Sequence, residues 1–282
     1  KTDNMKVVSL ENDLWSEECS QYLDYDEPLN PFPEPSYEEE TSSMSDEQHA
    51  NSIEAIRNSI RDGQLYQLNV GRWWSGALPD HPRTIFHRLA LRNPAPFSAY
   101  IEAPDLGFAL ASSSPESLLQ CDGTKLHTAP IKGTRPRGKS PEEEKRLRRE
   151  MIDDEKERAE HRMLVDLMRN DIGAVSKVGT VQVERFDVEA YTNVQHLVSQ
   201  ITGILADDLT GIDALQAIFP GGSITGCPRT VVCAAIDELE NHPRSFWTGS
   251  AGWIDVMTGE CSWNILIRTL QANRVQGEWI GK

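Results

Sequence analysis

Apolar residues recur every three or four positions in several stretches of the chain, which is the spacing of one helix face. In the clearest case, isoleucines from Ile53 to Ile60 follow Ser45 and Gln48, a pair with the spacing of a capping box. The longest helical stretch opens with three glutamates at 142–144 and is expected to break near residues 153–154. The predicted helices cover residues 45–62, 82–91, 141–170, 211–219 and 228–239.

Short apolar runs bounded by turn residues predict strands between these helices. The predicted strands are 64–70, 97–101, 107–113, 117–122 and 126–130, a strand-rich region at 180–205, and a hairpin of 247–256 with 261–271. The turn of that hairpin is expected at Thr258 and Gly259. Because strands follow one another in runs rather than alternating strictly with helices, the pattern favours an α+β fold with antiparallel sheets.

The first 45 residues are predicted to be an acidic loop or linker, with one short strand near residues 5–10. Prolines at positions 28, 31, 33 and 35 would break any helix or central strand there. Residues 1–50 contain 14 acidic and 2 basic side chains, and the other 232 residues contain 30 acidic and 26 basic ones. The net charge of −16 therefore belongs mostly to one end. Residues 46–282 are predicted to form the functional domain.

Composition excludes several classes of protein. A general affinity for nucleic acid is disfavoured, because phosphate binding needs a net basic face. No apolar stretch approaches the roughly 20 residues that span a bilayer, so no membrane partner is expected. The five cysteines, at 19, 121, 227, 233 and 261, form no Cys-x-x-Cys pair. Reduced thiols and a cytoplasmic location are therefore expected.

Two side chains with catalytic chemistry lie close in sequence. Lys132 precedes a glycine near a strand end, and a desolvated lysine in such a place becomes nucleophilic. Glu116 stands at the entry to a strand, and two adjacent antiparallel strands could bring it to Lys132. A buried carboxyl group there could act as a general acid. The alternatives are a basic surface loop at Lys132 and an ordinary turn carboxylate at Glu116.

Glu160 borders the apolar stripe of its predicted helix, at helical spacing from Leu164 and Leu167. A carboxylate in that position costs free energy unless it is paired or bound to a metal ion. The two interpretations are a metal ligand and a buried salt bridge, for example with Arg135 or Arg268.

Residues 220–228 read Pro-Gly-Gly-Ser-Ile-Thr-Gly-Cys-Pro and run into a predicted helix. Glycines, hydroxyl groups and a helix N-terminus together are typical of an anion site, and the alternative is a plain loop and cap. The loop lacks the Gly-Lys-Ser/Thr step of a Walker motif. His196 lies in an apolar strand, where a lone histidine is more often a satisfied core residue than a catalyst.

Taken together, these segments resemble the chorismate-utilising enzymes. The matching stretches are 64–70, 114–116, 130–138, 154–173, 194–197, 219–228 and 235–269. The resemblance implies two antiparallel sheets packed face to face, with helices outside. It also overturns the core interpretation of His196, which matches a histidine that lines the family's site.

Three positions distinguish members of this family. Members that add water have a lysine base in place of Gln67, so the resemblance points to the ammonia-using members. Anthranilate synthases usually read Pro-Ile-Ala-Gly where this chain has Pro-Ile-Lys-Gly at 130–133, and lysine is typical of aminodeoxychorismate synthase component I. The loop at 221–226 resembles that same enzyme. The alternatives are anthranilate synthase component I and a non-catalytic protein that keeps the fold.

The resemblance implies a mechanism in which Glu116 protonates the departing hydroxyl of chorismate and Lys132 forms a covalent intermediate. Ammonia would come from a separate glutaminase subunit. Mg²⁺ is the implied cofactor, with Glu160 as one ligand and a further ligand expected beyond Lys282, so that the domain would be incomplete at its C-terminal end. The implied substrate-binding residues are Gln67, Gly133, Thr134, His196, Ser223, Thr225, Gly226 and Arg268.

Overall fold

The computed structural model describes residues 41–191 and 194–282. In chain order, its strands are β1 (Thr41–Ser42), β2 (Gln67–Leu68), β3 (Trp74–Ala77), β4 (Phe97–Ala103), β5 (Phe108–Ser114), β6 (Ser117–Asp122), β7 (Lys125–Thr128), β8 (Ile131–Pro136), β9 (Gln182–Ala190), β10 (Val194–Ile204), β11 (Gly226–Cys227), β12 (Gly252–Ile254), β13 (Glu260–Asn264), β14 (Thr269–Val275) and β15 (Glu278–Gly281). Its helices are α1 (Asp46–Arg61), α2 (Pro82–Arg92), α3 (Pro141–Asp153), α4 (Glu155–Val175), α5 (Gly211–Ile218), α6 (Gly222–Thr225) and α7 (Arg229–Glu240), with a 3-10 turn at Pro104–Leu106.

The strands form two large antiparallel sheets and one short ribbon. The first sheet has the order β1-β3-β15-β14-β5-β4. In the second, β12, β13, β6 and β7 follow one another, and the long strand β10 pairs with both β7 and β8 on one side and with β9 on the other. The ribbon pairs β2 with β11. The predicted α+β class with antiparallel sheets is confirmed.

Local signals set the helix ends. Ser45 and Gln48 form the predicted capping box at the start of α1. Asp154 ends α3 and begins α4, because its side chain accepts a hydrogen bond from the backbone N–H of Glu157 at 3.0 Å. The predicted break in the long helical stretch is therefore confirmed.

The largest hydrophobic cluster lies where α4 and α5 pack on the second sheet. Leu164, Met168 and Ile172 on α4 meet Leu119 and Ile201 of the sheet, and each of these side chains is buried. Burying one such side chain contributes about 1.5–3 kcal/mol, so this cluster fixes α4 firmly against the sheet. None of the helices in the described part of the chain is long and apolar enough to cross a membrane.

Three strand predictions need correction. Of the predicted strand 64–70, only β2 is paired, and its partner is the two-residue strand β11. The basic segment that begins at Ile131 is a strand, β8, rather than a loop. The turn at Thr258 and Gly259 does join β12 to β13, but the predicted second arm divides, and β14 joins the first sheet instead. Such pairings depend on partners distant in sequence.

The strand predicted near residues 5–10 lies outside the described residues. Of the predicted linker, the described end contains β1, which pairs with β3. The four cysteines of the described region are free thiols, at positions 121, 227, 233 and 261.

Candidate active site

Glu116 and Lys132 are brought together by the hairpin of β6 and β7. Gln120 lies opposite His127 in this hairpin, so the chain runs back toward the Glu116 end of β6 as it leaves β7 and enters β8 at Ile131. The positive charge of Lys132 and the backbone N–H of Ile131 both stabilise the Glu116 carboxylate. The two residues are thus neighbours, as the strand pattern predicted.

The Glu116 carboxyl group is 7% exposed, and burial raises its pKa to about 7. Ser223, Lys132 and the N–H of Ile131 oppose that rise without cancelling it. Near neutral pH the group is therefore present in both protonation states. A carboxyl group with this pKa is suited to give up a proton and take it back.

Lys132 lies on β8 opposite Leu197 of β10, with a second titratable side chain nearby. His161 of α4 is fully buried, and its Nε2 lies 2.7 Å from the Ser199 hydroxyl oxygen. Burial lowers the His161 pKa to about 4, and the charge of Lys132 contributes. The surroundings of Lys132 on this side are therefore uncharged. Sequence reasoning did not select His161.

His196 is buried on β10, and its Nδ1 lies 2.9 Å from the carbonyl oxygen of Gly133 and 3.1 Å from the Thr134 hydroxyl. Because a carbonyl oxygen only accepts, Nδ1 carries the proton and Nε2 is left as an acceptor. Nε2 has no partner among the described residues. Burial, aided by the charge of Arg268, lowers the His196 pKa. A neutral imidazole with a free acceptor fits the predicted site role.

Gly133 has a φ of +66°, a backbone angle that residues with a side chain rarely adopt. A Cβ at this position would lie 3.1 Å from Glu157 Oε2. The glycine is therefore required where β8 passes α4. The Thr134 hydroxyl beside it faces the ring of His196.

Arg268 lies where the chain leaves the second sheet and enters β14 of the first. Its φ is +51°, and its carbonyl oxygen accepts a hydrogen bond from Ser113 N–H at 3.1 Å. Its charge acts on His196 and on Tyr191. Arg268 is thus brought to the same group of residues as Glu116 by a crossing between sheets.

Tyr191 is a member of this cluster that sequence reasoning missed. Its ring lies 5.4 Å from that of His196, and both Glu116 and Arg268 act on its hydroxyl. Burial and neighbouring carboxylates raise its pKa to about 12, so it remains a neutral hydroxyl. No pattern in the sequence distinguished this tyrosine from others.

The loop predicted as an anion site contributes Ser223 in particular. Ser223 stabilises the Glu116 carboxylate, yet its buried hydroxyl satisfies full hydrogen-bond geometry with no described residue. The Thr225 hydroxyl instead donates to the carbonyl oxygen of Gly221 at 2.9 Å. The loop forms a tight turn with the four-residue helix α6 and then runs into α7 at Arg229, as predicted, and its role as an anion site stays a prediction.

Gln67 and Gly226 lie in the β2–β11 ribbon, and β11 begins directly after this turn. Gln67 lies opposite Cys227 and is partly buried. Gly226 has a φ of +127°, and a Cβ there would overlap the backbone carbonyl of Gln67. The close approach of the two strands therefore requires glycine at this position.

Glu160 does not form the buried salt bridge that was one interpretation of its position. Its side chain is 42% exposed, and its ion pair is with Lys156 at 3.6 Å. Arg135 instead pairs with Asp154 at 3.4 Å and Glu157 at 3.5 Å. No group of three acidic, histidine or cysteine side chains in the described residues could hold a metal. Glu160 can offer one oxygen ligand, and Mg²⁺ commonly takes only one or two carboxylates.

A separate cavity of about 230 Å³ lies beside β3 and the end of α7. Its walls include Trp73, Phe246 and Trp247, together with Arg244 and Lys282. None of the predicted site residues lines it, so it is a different feature from the cluster around Glu116 and Lys132.

The family model described as chorismate binding enzyme matches residues 3–279. The chain belongs to this family. The match includes the acidic segment that the sequence prediction set apart as a linker, and the boundary near residue 45 stays a prediction.

Relatives with two different names are similarly close. The chain is 46% identical to anthranilate synthase component 1 1 of Haloarcula marismortui over 81% of this chain and 46% of that protein. It is 44% identical to aminodeoxychorismate synthase component 1 of Bacillus subtilis, over 78% of this chain and 47% of that protein. The structure of anthranilate synthase component I from Streptococcus pneumoniae superposes with a TM-score of 0.79 at 29% identity, covering 95% of this chain and 60% of that one. The chain thus spans about half the length of these curated relatives.

Proposed function

We propose that the chain is the chorismate-binding part of an aminodeoxychorismate synthase component I. This enzyme would convert chorismate and ammonia into 4-amino-4-deoxychorismate. The observation that carries the proposal is the adjacency of Lys132 to Glu116, a buried carboxyl group with a pKa of about 7. One similar relative, from Bacillus subtilis, bears that name.

In the first step, the protonated Glu116 gives its proton to the 4-hydroxyl of chorismate, which leaves as water. Lys132 first passes its ammonium proton to solvent and then attacks C2 as the free amine, the ring double bonds shift, and the C4–O bond breaks. A covalent intermediate of this kind divides one difficult displacement into two easier ones. The neutral state of the nearby His161 supports this step, because a charged imidazolium would oppose the positive charge that the lysine nitrogen gains as it attacks.

In the second step, ammonia forms a bond at C4 and the C2–N bond to Lys132 breaks. Between the two steps the lysine nitrogen, positively charged after its attack, returns one proton to Glu116. The ammonia nitrogen then loses a proton as the departing lysine nitrogen takes one up, so Glu116 is again protonated and Lys132 is again a free amine. Gln67 supports ammonia rather than water as the nucleophile, because an amide side chain cannot deprotonate water. A glutaminase subunit would supply the ammonia.

Substrate binding is proposed for the residues around this pair. Arg268 would pair with a carboxylate of chorismate, and His196 and Tyr191 would line the ring. Bound Mg²⁺ would neutralise substrate carboxylate charge, with Glu160 as one ligand. Water and substrate oxygen atoms would be among the remaining ligands.

Anthranilate synthase component I is the second candidate, favoured by the 46% identical relative from Haloarcula marismortui. The two reactions differ in their products. Anthranilate formation expels the enolpyruvyl group as pyruvate, whereas 4-amino-4-deoxychorismate keeps it.

The test incubates the complete protein that contains this chain with chorismate, ammonium and Mg²⁺. Ammonium replaces the glutaminase partner, so only the chorismate reaction is measured. We expect 4-amino-4-deoxychorismate by mass spectrometry, with no pyruvate and no anthranilate fluorescence. Anthranilate with equimolar pyruvate would establish the second candidate instead, and absence of turnover would favour a non-catalytic protein.

A further inference from the structure

The turn that contains Ser223 is hydrogen-bonded to Asn69, the residue directly after β2. The side-chain amide of Asn69 donates to the Ser223 carbonyl oxygen at 3.0 Å, and the Asn69 backbone N–H donates to the Thr225 carbonyl oxygen at 2.9 Å. Asn69 is therefore bonded to the turn at two points, Ser223 and Thr225.

Arg244 connects Asn69 to the middle of the same turn. Its Nη1 donates to the carbonyl oxygen of Ile224 at 3.1 Å, and its Nη2 donates to the carbonyl oxygen of Asn69 at 2.6 Å. The guanidinium group lies 4.8 Å from the ring centre of Trp247. One planar group thus bridges two separate backbone segments, a geometry suited to arginine rather than lysine.

Glu240 fixes the orientation of that guanidinium group. Its buried carboxylate accepts from Arg244 Nε at 2.9 Å and from Nη2 at 2.5 Å, and its Oε1 also accepts from Gly71 N–H at 2.6 Å. Its side chain is 1% exposed. The network is saturated with hydrogen bonds, so it has little freedom to move.

The turn lies beside Glu116: a Cβ at its first glycine, Gly221, would lie 3.6 Å from Ile265, whose N–H donates to the Glu116 carbonyl oxygen at 3.0 Å. We propose that Asn69, Arg244 and Glu240 form a positioning clamp that keeps this turn, and with it the Ser223 hydroxyl, next to the carboxyl group of Glu116. The three clamp residues act on Glu116 through the turn. This inference rests on the proposed function only in taking Glu116 as the general acid.

The groups facing Glu116 come from several elements. Besides Ser223, they are Lys132 and the N–H of Ile131 on β8 and the hydroxyl of Tyr191. Ser223 is the member whose backbone is bonded to Asn69, so disturbing the clamp should change its contribution selectively. A hydroxyl that stabilises the carboxylate lowers the carboxyl pKa, and its displacement raises it.

The test follows the titration of the Glu116 carboxyl carbon by NMR in the full chain, using ¹³C-labelled glutamate. Asn69→Ala removes one clamp hydrogen bond and leaves the ion pair intact, so the variant should fold. We expect its Glu116 midpoint to rise by about half a pH unit or more, as in Ser223→Ala. The double variant should rise no further than Ser223→Ala alone, because both changes remove the same interaction.

A matched control is Arg88→Lys. Arg88 is a buried arginine on α2 that donates a hydrogen bond to Asp80, and it is not part of the clamp. The substitution should lower stability without changing the Glu116 midpoint. An unchanged midpoint in Asn69→Ala, with a raised one in Ser223→Ala, would overturn the clamp. An unchanged midpoint in Ser223→Ala would overturn its premise. The titration needs no substrate, so it separates failure of the clamp from failure of the proposed reaction.

In the complete protein, the clamp has a second readout if the amination reaction is correct. The loss of activity at high pH, where Glu116 is ionised, should shift upward in Asn69→Ala together with the NMR midpoint. The rate at optimal pH should fall on the order of tenfold, because small displacements at a reacting centre are costly. A fall in rate without any shift of the pH profile would assign Asn69 a merely structural role.

Discussion

Two buried acidic side chains in this protein, Glu240 and Glu116, have opposite surroundings. Glu240 accepts hydrogen bonds from Arg244 and from the N–H of Gly71, so its carboxylate is fully compensated. Glu116 is also buried, but its neighbours do not offset the cost of desolvation, and its pKa rises to about 7. In the same cluster, His196 Nε2 is buried without a partner among the described residues.

The difference separates a structural network from a chemical one. Buried polar groups in folded proteins are nearly always satisfied, so an unsatisfied cluster calls for an explanation. A carboxyl group with a pKa near neutral, next to a lysine, is a typical functional explanation. The Glu240 carboxylate has its hydrogen bonds filled by protein groups, whereas His196 Nε2 in the Glu116 cluster is still free to accept one.

The largest expected effect tests the chemical half of this comparison. Lys132→Ala should lower chorismate amination by the complete protein on the order of 10⁴-fold or more, because it removes the proposed nucleophile. Steady-state rates with ammonium measure the effect, and thermal melting checks that the variant is folded.

The matched control is Lys139→Ala, which removes an exposed lysine from the same basic segment. It should leave the rate unchanged. Lys132→Arg keeps the positive charge but should be nearly as inactive as the alanine variant. Full activity in Lys132→Ala would exclude the covalent route.

Local features of the fold could be predicted from sequence because their causes are local. The capping box at Ser45 and the helix break at Asp154 each depend on residues within one turn. The division between β13 and β14 could not be predicted, since it depends on β14 pairing with β5 in another sheet. A hairpin pattern contains no information on which sheet its second arm will join.

The site shows the same limit. The proximity of Glu116 and Lys132 follows from one hairpin, so the strand pattern was enough to predict it. Ser223 and Tyr191 reach Glu116 from distant parts of the chain. Ser223 was selected only through resemblance to a family, and Tyr191 not at all. The partial exposure of the Glu160 side chain could not be predicted either, because helical spacing placed this residue next to the apolar stripe.

The next effect tests the structural half of the comparison. Glu240→Ala should lower the free energy of unfolding by about 3–5 kcal/mol, because it leaves the partly buried Arg244 without its partner. Urea denaturation of the chain measures the change. Glu54→Ala, which removes an exposed partner of Arg57 and Arg61, should cost less than about 1 kcal/mol. Equal losses in both variants would show that burial of the Glu240 pair has no special weight.

The smallest effect concerns the free energy of unfolding that is lost when the buried carboxyl group of Glu116 ionises. Its folded pKa of about 7 lies above the ordinary value of 4.5, so the folded state binds the proton more tightly than the unfolded state. This contribution is complete below about pH 4.5 and is lost as the pH rises to 7, by roughly 3 kcal/mol in total. Glutamine has no proton to lose, so Glu116→Gln should escape this loss.

The measurement is urea unfolding of both proteins between pH 5 and pH 8. The stability of Glu116→Gln relative to the parent chain should be greater at pH 8 than at pH 5. Asp171, whose pKa burial raises to about 6 despite its pairing with Arg229, adds a pH dependence of the same sign. Because both proteins contain Asp171, its contribution cancels in the difference. Parallel pH profiles would mean that Glu116 is as well compensated as Glu240, and the contrast between the two networks would fail.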